Sequence, residues 1–353
     1  MNKFKKVIII LLILSIIAVL VSSCSFLEPS SKNSINVFNW GEYIDESVLK
    51  EFTNRTGINV NYETYASNEE MYEKVKTGAN KYDILCPSDY MIQRMINENM
   101  LEPIDFSSIP NYKNIDDKYK KQPFDPEDRY SIPYLWGTIG ILYDKTQVKE
   151  NVDSWNILWD KKYKNQIFMS DDMRNSIGIA LKKLGYSFNS KNTDEIKKAA
   201  DELIKQKKEI SPVYIGDQVK DSMRNGEKKI AVMYSGDAII LKNENPNKFK
   251  YVIPKEGTNM WFDSWVIPKG TKHKKEAEKF LNFMLNARIN KKNVDYVGYA
   301  TPNKATYNML DKNIREDKAA YPSQDELKKY EVFTDLGDTR EFYSDEWLQV
   351  TIK

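Results

Sequence analysis

Several short segments join an aromatic or hydroxyl side chain to a carboxylate: Asn39-Trp40-Gly41-Glu42-Tyr43, Pro87-Ser88-Asp89-Tyr90, Ser170-Asp171-Asp172-Met173-Arg174, Tyr234-Ser235-Gly236-Asp237 and Trp261-Phe262-Asp263-Ser264-Trp265. An aromatic face attracts a cation through its quadrupole by roughly 0.5 to 2 kcal/mol, depending on desolvation. A carboxylate fixed nearby neutralises an ammonium and accepts its hydrogen bonds. Aromatic walls also pack methylene chains, so a slot lined by Trp and Tyr and tipped with Asp suits an elongated aliphatic amine better than a compact metal ion. Taken singly, each residue has a plainer reading: Trp40 and Trp261 as core aromatics, Asp172 as a helix N-cap, Asp237 as a turn residue after Gly236. Trp40 and Trp261 adjoin Gly or Asp in expected loops at strand ends, which favours lining over core. The adjacent acids Asp171 and Asp172 could suggest a carboxylate-pair glycosidase, but neighbours on an extended segment point to opposite faces.

The composition removes other chemistries. One histidine, His273, and two cysteines, Cys24 and Cys86, supply too few ligands for a zinc site and no base for a Ser-His-Asp or Cys-His unit. No metal and no cofactor is expected, and the chain reads as a binder and not as an enzyme. The first 23 residues hold three lysines and no acid, and removing those lysines turns the net charge of +2 into −1. Such a balance provides no basic field for a phosphate backbone, so no nucleic acid is expected as a partner.

The elements that would position these residues alternate. Ile35 to Phe38 reads as a strand, Glu46 to Thr56 as a helix closed by Gly57, and Ile58 to Tyr62 as a second strand. Asn68 to Thr77 follows as a helix ended by Gly78, then Tyr82 to Cys86 as a strand and a helix N-capped by Ser88. This βαβαβ pattern predicts a mainly parallel sheet with its ligand site at the carboxyl ends of the strands. A second alternating set follows Gly137 to Tyr143: strands at Gln166 to Met169, Ile230 to Tyr234 and Tyr251 to Ile253, with helices at Met173 to Leu184 and Thr193 to Lys205. An amphipathic helix is expected from Lys274 to about Asn286, and a helical tail broken by Pro322 ends the chain. Cys86, at the end of an apolar run, reads as a buried inert thiol.

The leader has a basic start (Lys3, Lys5, Lys6), then Val7 to Val21 with Ser15 its one polar residue, then Val21-Ser22-Ser23-Cys24. Small residues before a cysteine resemble the lipobox of bacterial lipoproteins, which implies lipidation at Cys24 and a place on the extracytoplasmic face of the cytoplasmic membrane.

Five further segments carry a resemblance over residues 34 to 340. Phe38 to Tyr43, Tyr65 to Tyr72, Tyr82 to Ser88, Ser131 to Gly137 and Gly298 to Asn303 resemble, in order, the spermidine/putrescine-binding receptors of bacterial ABC importers. The resemblance implies a two-lobed α/β fold of the type II periplasmic-binding-protein kind, with a hinge and an interlobe ligand cleft. Residues 1–23 would be the lipoprotein signal peptide and 24–33 a tether. Residues 34–140 would form the first segment of lobe 1, 141–262 lobe 2, 263–310 the second segment of lobe 1 and 311–353 a helical tail. Carried over by position, the resemblance implies ligand contacts from Trp40, Tyr43, Ser88, Tyr90, Asp172, Tyr234, Trp261, Asp263 and Tyr299. Asp172 and Asp263 would be the principal ammonium partners.

Two positions depart from the family. Asn175 stands where well-known members have a glutamate, and Phe333 where they have a glutamine. Asp237 is expected to supply the missing acid, because putrescine-preferring relatives also have Gly-Asp after the aromatic. The expected ligand is putrescine or spermidine, and the expected partners are ABC permease subunits, for a monomeric receptor. A polyamine sensor signalling to a partner and a secreted carboxylate-pair hydrolase are the alternatives.

Overall fold

The computed structural model describes residues 33–78 and 82–353. The leader, Cys24 and the tether up to Lys32 lie outside the described residues. Among those described, nine strands are formed: β1 (Ser34–Trp40), β2 (Asn59–Tyr65), β3 (Ile84–Leu85), β4 (Ser131–Asp144), β5 (Ile167–Ser170), β6 (Val213–Ile215), β7 (Ile230–Tyr234), β8 (Phe249–Val252) and β9 (Met260–Val266). Their order is β2-β1-β3-β9-β4-β7-β5-β6, with β8 also paired to β4.

The fold is two-lobed because its apolar residues condense into separate cores. One gathers Ile35, Val48, Phe52, Trp265, Phe280 and Leu281, with Phe38, Tyr72 and Phe262 in an adjoining cluster. The other gathers Trp155, Ile167, Ile179, Leu203, Ile230, Tyr343 and Val350. The C-terminal helix Thr339–Ile352 therefore packs on the second core. Strand β4 joins them: buried throughout its 14 residues, it gives Ile132 and Leu135 to the first core and Ile139 and Ile141 to the second.

The expected helix ends have their physical causes in place. Asp45 accepts from the Ser47 amide and caps the helix Glu46–Thr56, and Gly57 closes it at φ 69°, a left-handed conformation that glycine adopts without steric cost. The helix Lys274–Met284 buries Ala277, Phe280, Leu281 and Met284, one stripe facing the first core.

The sheet differs from the expected one. β1 with β3, and β5 with both β6 and β7, are parallel, as the alternating pattern predicts. At the centre, however, β4 pairs antiparallel with β9, β7 and β8. The β4–β9 register shifts between Pro133 and Leu135, where proline has no N–H to give the ladder. In consequence Trp261 and Asp263 lie inside a strand and not in a loop at a strand end. Asp237 likewise sits in the first turn of the helix Ser235–Glu244, not in an isolated turn.

Candidate functional site

A cleft of about 690 Å³ is lined by Trp40, Tyr43, Ser88, Tyr90, Asp172, Tyr234, Asp237, Trp261, Asp263 and Tyr299, so every ligand-contact residue singled out in the sequence comes to one place. Strand alternation explains the β9 pair: Trp261 and Asp263 face the cleft, while Phe262 between them is buried in the core. Ser88 and Tyr90 flank the start of the helix Asp89–Asn97, and Asp172 caps the helix Met173–Lys183. Tyr234 ends β7, and Tyr299 follows Gly298, the left-handed cap of the helix Ala287–Val297.

Asp263 is the best-built anion of the site. It is buried, and its carboxylate accepts two hydroxyl protons, from Tyr43 to Oδ2 at 2.6 Å and from Ser88 to Oδ1 at 2.6 Å. Burial pushes its pKa up to about 6, and the two hydrogen bonds restrain the rise. Beside it stands an aromatic wall. The Trp261 and Tyr299 rings meet edge to face at 4.9 Å and 89°, Tyr234 meets Trp261 at 6.0 Å and 86°, and Tyr43 lies 5.9 Å from Tyr299. Small residues make room for these rings. A Cβ added to Gly236 would fall 2.2 Å from Tyr299 Cδ1, and one added to Gly137 would fall 2.5 Å from Trp261 Cζ2.

The remaining members are held differently. Asp172 is open to the water of the cleft yet deep between its walls; that crowding raises its carboxyl, against a hydrogen bond from the Asn175 amide at 2.7 Å. Asn175 Nδ2 donates to the Tyr234 hydroxyl at 2.8 Å, while Asn175 Oδ1 and Trp261 Nε1 are buried without a partner among the described residues. Trp40 is fixed by donating Nε1–H to the Cys86 carbonyl at 2.9 Å. The Cys86 thiol itself is buried, and burial raises it well above its ordinary range. Tyr90 accepts from Asn68 Nδ2 at 3.1 Å and donates to Glu69 at 3.0 Å. Asp237 accepts from the Tyr299 hydroxyl at 3.3 Å and pairs with Lys220 Nζ at 3.0 Å.

The cleft also holds residues that the sequence did not place in the site; Asp89, like Glu42, stands beside matched residues and is not expected among the contacts. Asp89 is fully buried and burial pushes it up to about 8, but its oxygens are taken by the Tyr90 and Phe262 amides, so it stitches helix to β9. Arg174, two residues past Asp172, is buried with its guanidinium 4.3 Å from the Phe333 ring and bonded to the Thr334 carbonyl at 3.2 Å. Phe333 thus seats an arginine on the cleft wall. Asp217 and Lys220 come from a turn and the short helix Val219–Asn225, for which the sequence offered no strong signal. Among the described residues, eight carboxyl groups and two basic groups line the cleft; with Asp89 largely protonated at neutral pH, the remaining acids still outnumber the bases, a field that attracts polycations.

Comparison with known proteins gives the family and the fold. Residues 47–322 match the family of bacterial extracellular solute-binding proteins. The chain is 36% identical over 319 residues, 90% of its length and 91% of the relative's, to the spermidine/putrescine-binding periplasmic protein of Salmonella typhimurium. Among solved structures it is similar to the spermidine/putrescine ABC transporter substrate-binding protein PotD of Streptococcus pneumoniae, with TM-score 0.81 and 41% identity, covering 91% of this chain and 99% of that one. It is also similar to the TpPotD lipoprotein of Treponema pallidum, with TM-score 0.81 and 29% identity, covering 90% of this chain and 99% of that one.

Proposed function

The chain belongs to the bacterial extracellular solute-binding proteins, and from that premise we propose that it is the substrate-binding component of a polyamine ABC importer, capturing putrescine, spermidine or both. The observation that carries this reading is Asp263: a buried carboxylate held, among the described residues, by two neutral hydroxyl donors, beside a wall of edge-to-face aromatic rings. Neutral donors fix its position without cancelling its charge, so the full charge is left for an ammonium. The rings take the methylene chain, Asp172 takes a second ammonium, and Trp40, Tyr90 and Ser88 complete the enclosure. No bond is made or broken. The lobes close over the ligand about the strands that join them, and an ABC permease accepts it on opening. Lobe 1 comprises residues 34–136 and 260–310 and lobe 2 residues 139–252, not the expected 34–140, 263–310 and 141–262, because Ile139 and Val252 pack with the second core and Met260 and Phe262 with the first.

The receptor acts as a monomer, held through lipid on Cys24 and a short tether at the outer face of the cytoplasmic membrane. Metabolic labelling with a fatty acid, lost in Cys24→Ala, tests the anchor. The binding reading is tested by calorimetric titration of the protein from Ser25 onward, freed of carried-over polyamine, with putrescine, spermidine, spermine and a sugar. One-to-one binding of a polyamine and none of the sugar is expected. No heat with any polyamine, from protein shown to be folded, would overturn the reading.

A further inference from the structure

One acid of the cleft already has a cation. Lys220 Nζ lies 3.0 Å from Asp237 Oδ1, with the two side chains 32% and 22% exposed, and both residues line the cleft. The pair is not a chance surface contact. Lys220 is on the helix Val219–Asn225, whose Arg224 makes a two-pronged bond to Glu244, from Nε at 2.8 Å and from Nη2 at 2.9 Å. Glu244 ends the same helix whose first turn carries Asp237, so two ion pairs fix one helix against the other. Burial works against the Lys220 ammonium, but the charge and hydrogen bond of Asp237 and the charge of Glu42 outweigh it and raise its pKa. A lysine side chain is also a four-carbon stem ending in an ammonium, the same unit as the aminobutyl arm of a polyamine.

Building on the polyamine reading above, we propose that Lys220 is a specificity-setting residue: its ammonium occupies the Asp237 subsite that a further ammonium of a longer polyamine would otherwise take. A dication needs only Asp263 and Asp172. A trication must either leave its extra ammonium without a partner or expel Lys220 from Asp237, so the tethered cation lowers the affinity for spermidine relative to putrescine. Tyr299 places the subsite on the ligand's path, because its hydroxyl donates to Asp237 while its ring packs on Trp261 and lies beside Tyr43, the donor to Asp263.

The test is calorimetric titration of putrescine and spermidine into wild type, Lys220→Gln, Asp237→Asn and the double variant. Lys220→Gln is expected to move the ratio of dissociation constants toward spermidine by about tenfold. In the Asp237→Asn background the same substitution is expected to leave the ratio where it was, since the subsite is gone. Lys220→Arg, which keeps a cation at Asp237, is expected to keep the wild-type ratio. A shift below about twofold overturns the proposal, and so does a tenfold shift that persists without Asp237, because a general field effect needs no subsite. If wild type binds neither amine, the receptor reading fails and this inference falls with it; the wild-type titration tells the two failures apart.

Discussion

Asp263 and Asp237 share one cleft and one residue type, yet their surroundings give them opposite tasks. Asp263 is buried between the hydroxyls of Tyr43 and Ser88, donors that orient it and leave its charge intact. Asp237 is only partly exposed and already neutralised by Lys220. A carboxylate held by neutral donors is poised for a cationic ligand, whereas one held by a built-in ammonium can receive a ligand only by exchange. The first costs the unliganded protein stability, because burial disfavours its ionised form. The second costs the protein little and makes the ligand compete.

The largest expected effect breaks the first half of that contrast. Asp263→Ala removes the charge and leaves Tyr43 and Ser88 without their acceptor; truncating one partner of a buried charge pair costs several kcal/mol, so affinity for either amine should fall more than about a hundredfold. Calorimetry alongside a thermal melt separates lost binding from lost folding. Near-native affinity would assign the ligand's charge to another acid, and Asp237→Ala would then be the harmful change.

Much of this contrast is legible in the sequence, and its limits are physical. The acids and aromatics announce themselves because neither type is needed at a strand end for folding alone, and helix ends such as Asp45 and Gly57 carry local signals. The antiparallel pairing of β4 with β9 is not local. A strand buried on both faces reads as a continuous apolar run whichever way its neighbour points, and from sequence alone Trp261 therefore reads as a loop residue. The helix after Tyr234 was hidden by Gly236, a poor helix former present because the Tyr299 ring occupies the space of a side chain. Lys220 was one lysine among many until the fold set it against Asp237.

The second effect sharpens the comparison by building a new site of the Asp263 kind. Asn175 is buried beside the Tyr234 hydroxyl, and its Oδ1 has no partner among the described residues. In Asn175→Glu that hydroxyl turns from acceptor to donor, giving a carboxylate with a neutral donor and no built-in cation. The ratio of affinities should move toward spermidine by roughly tenfold, measured by competition between the two amines. An unchanged ratio would mean that this wall does not meet the additional ammonium.

The smallest effect asks whether the hydroxyls tune Asp263 or only position it. Burial holds its carboxyl at about 6, so affinity should fall as pH drops through 6, where protonation removes the charge that the ammonium needs. The sign reverses for the unliganded fold. An acid whose folded pKa is raised stabilises the fold at low pH, so this group's contribution should improve as pH falls from above 6 toward the ordinary carboxylate range. Tyr43→Phe keeps the ring and deletes one hydrogen bond to the ionised form, so the midpoint should move above 6. Putrescine affinity should then drop by about threefold at pH 7 and recover near pH 8, where the carboxylate is again ionised. A loss equal at both pH values would show that Tyr43 acts by placing Asp263, and the contrast with Asp237 would then rest on charge alone.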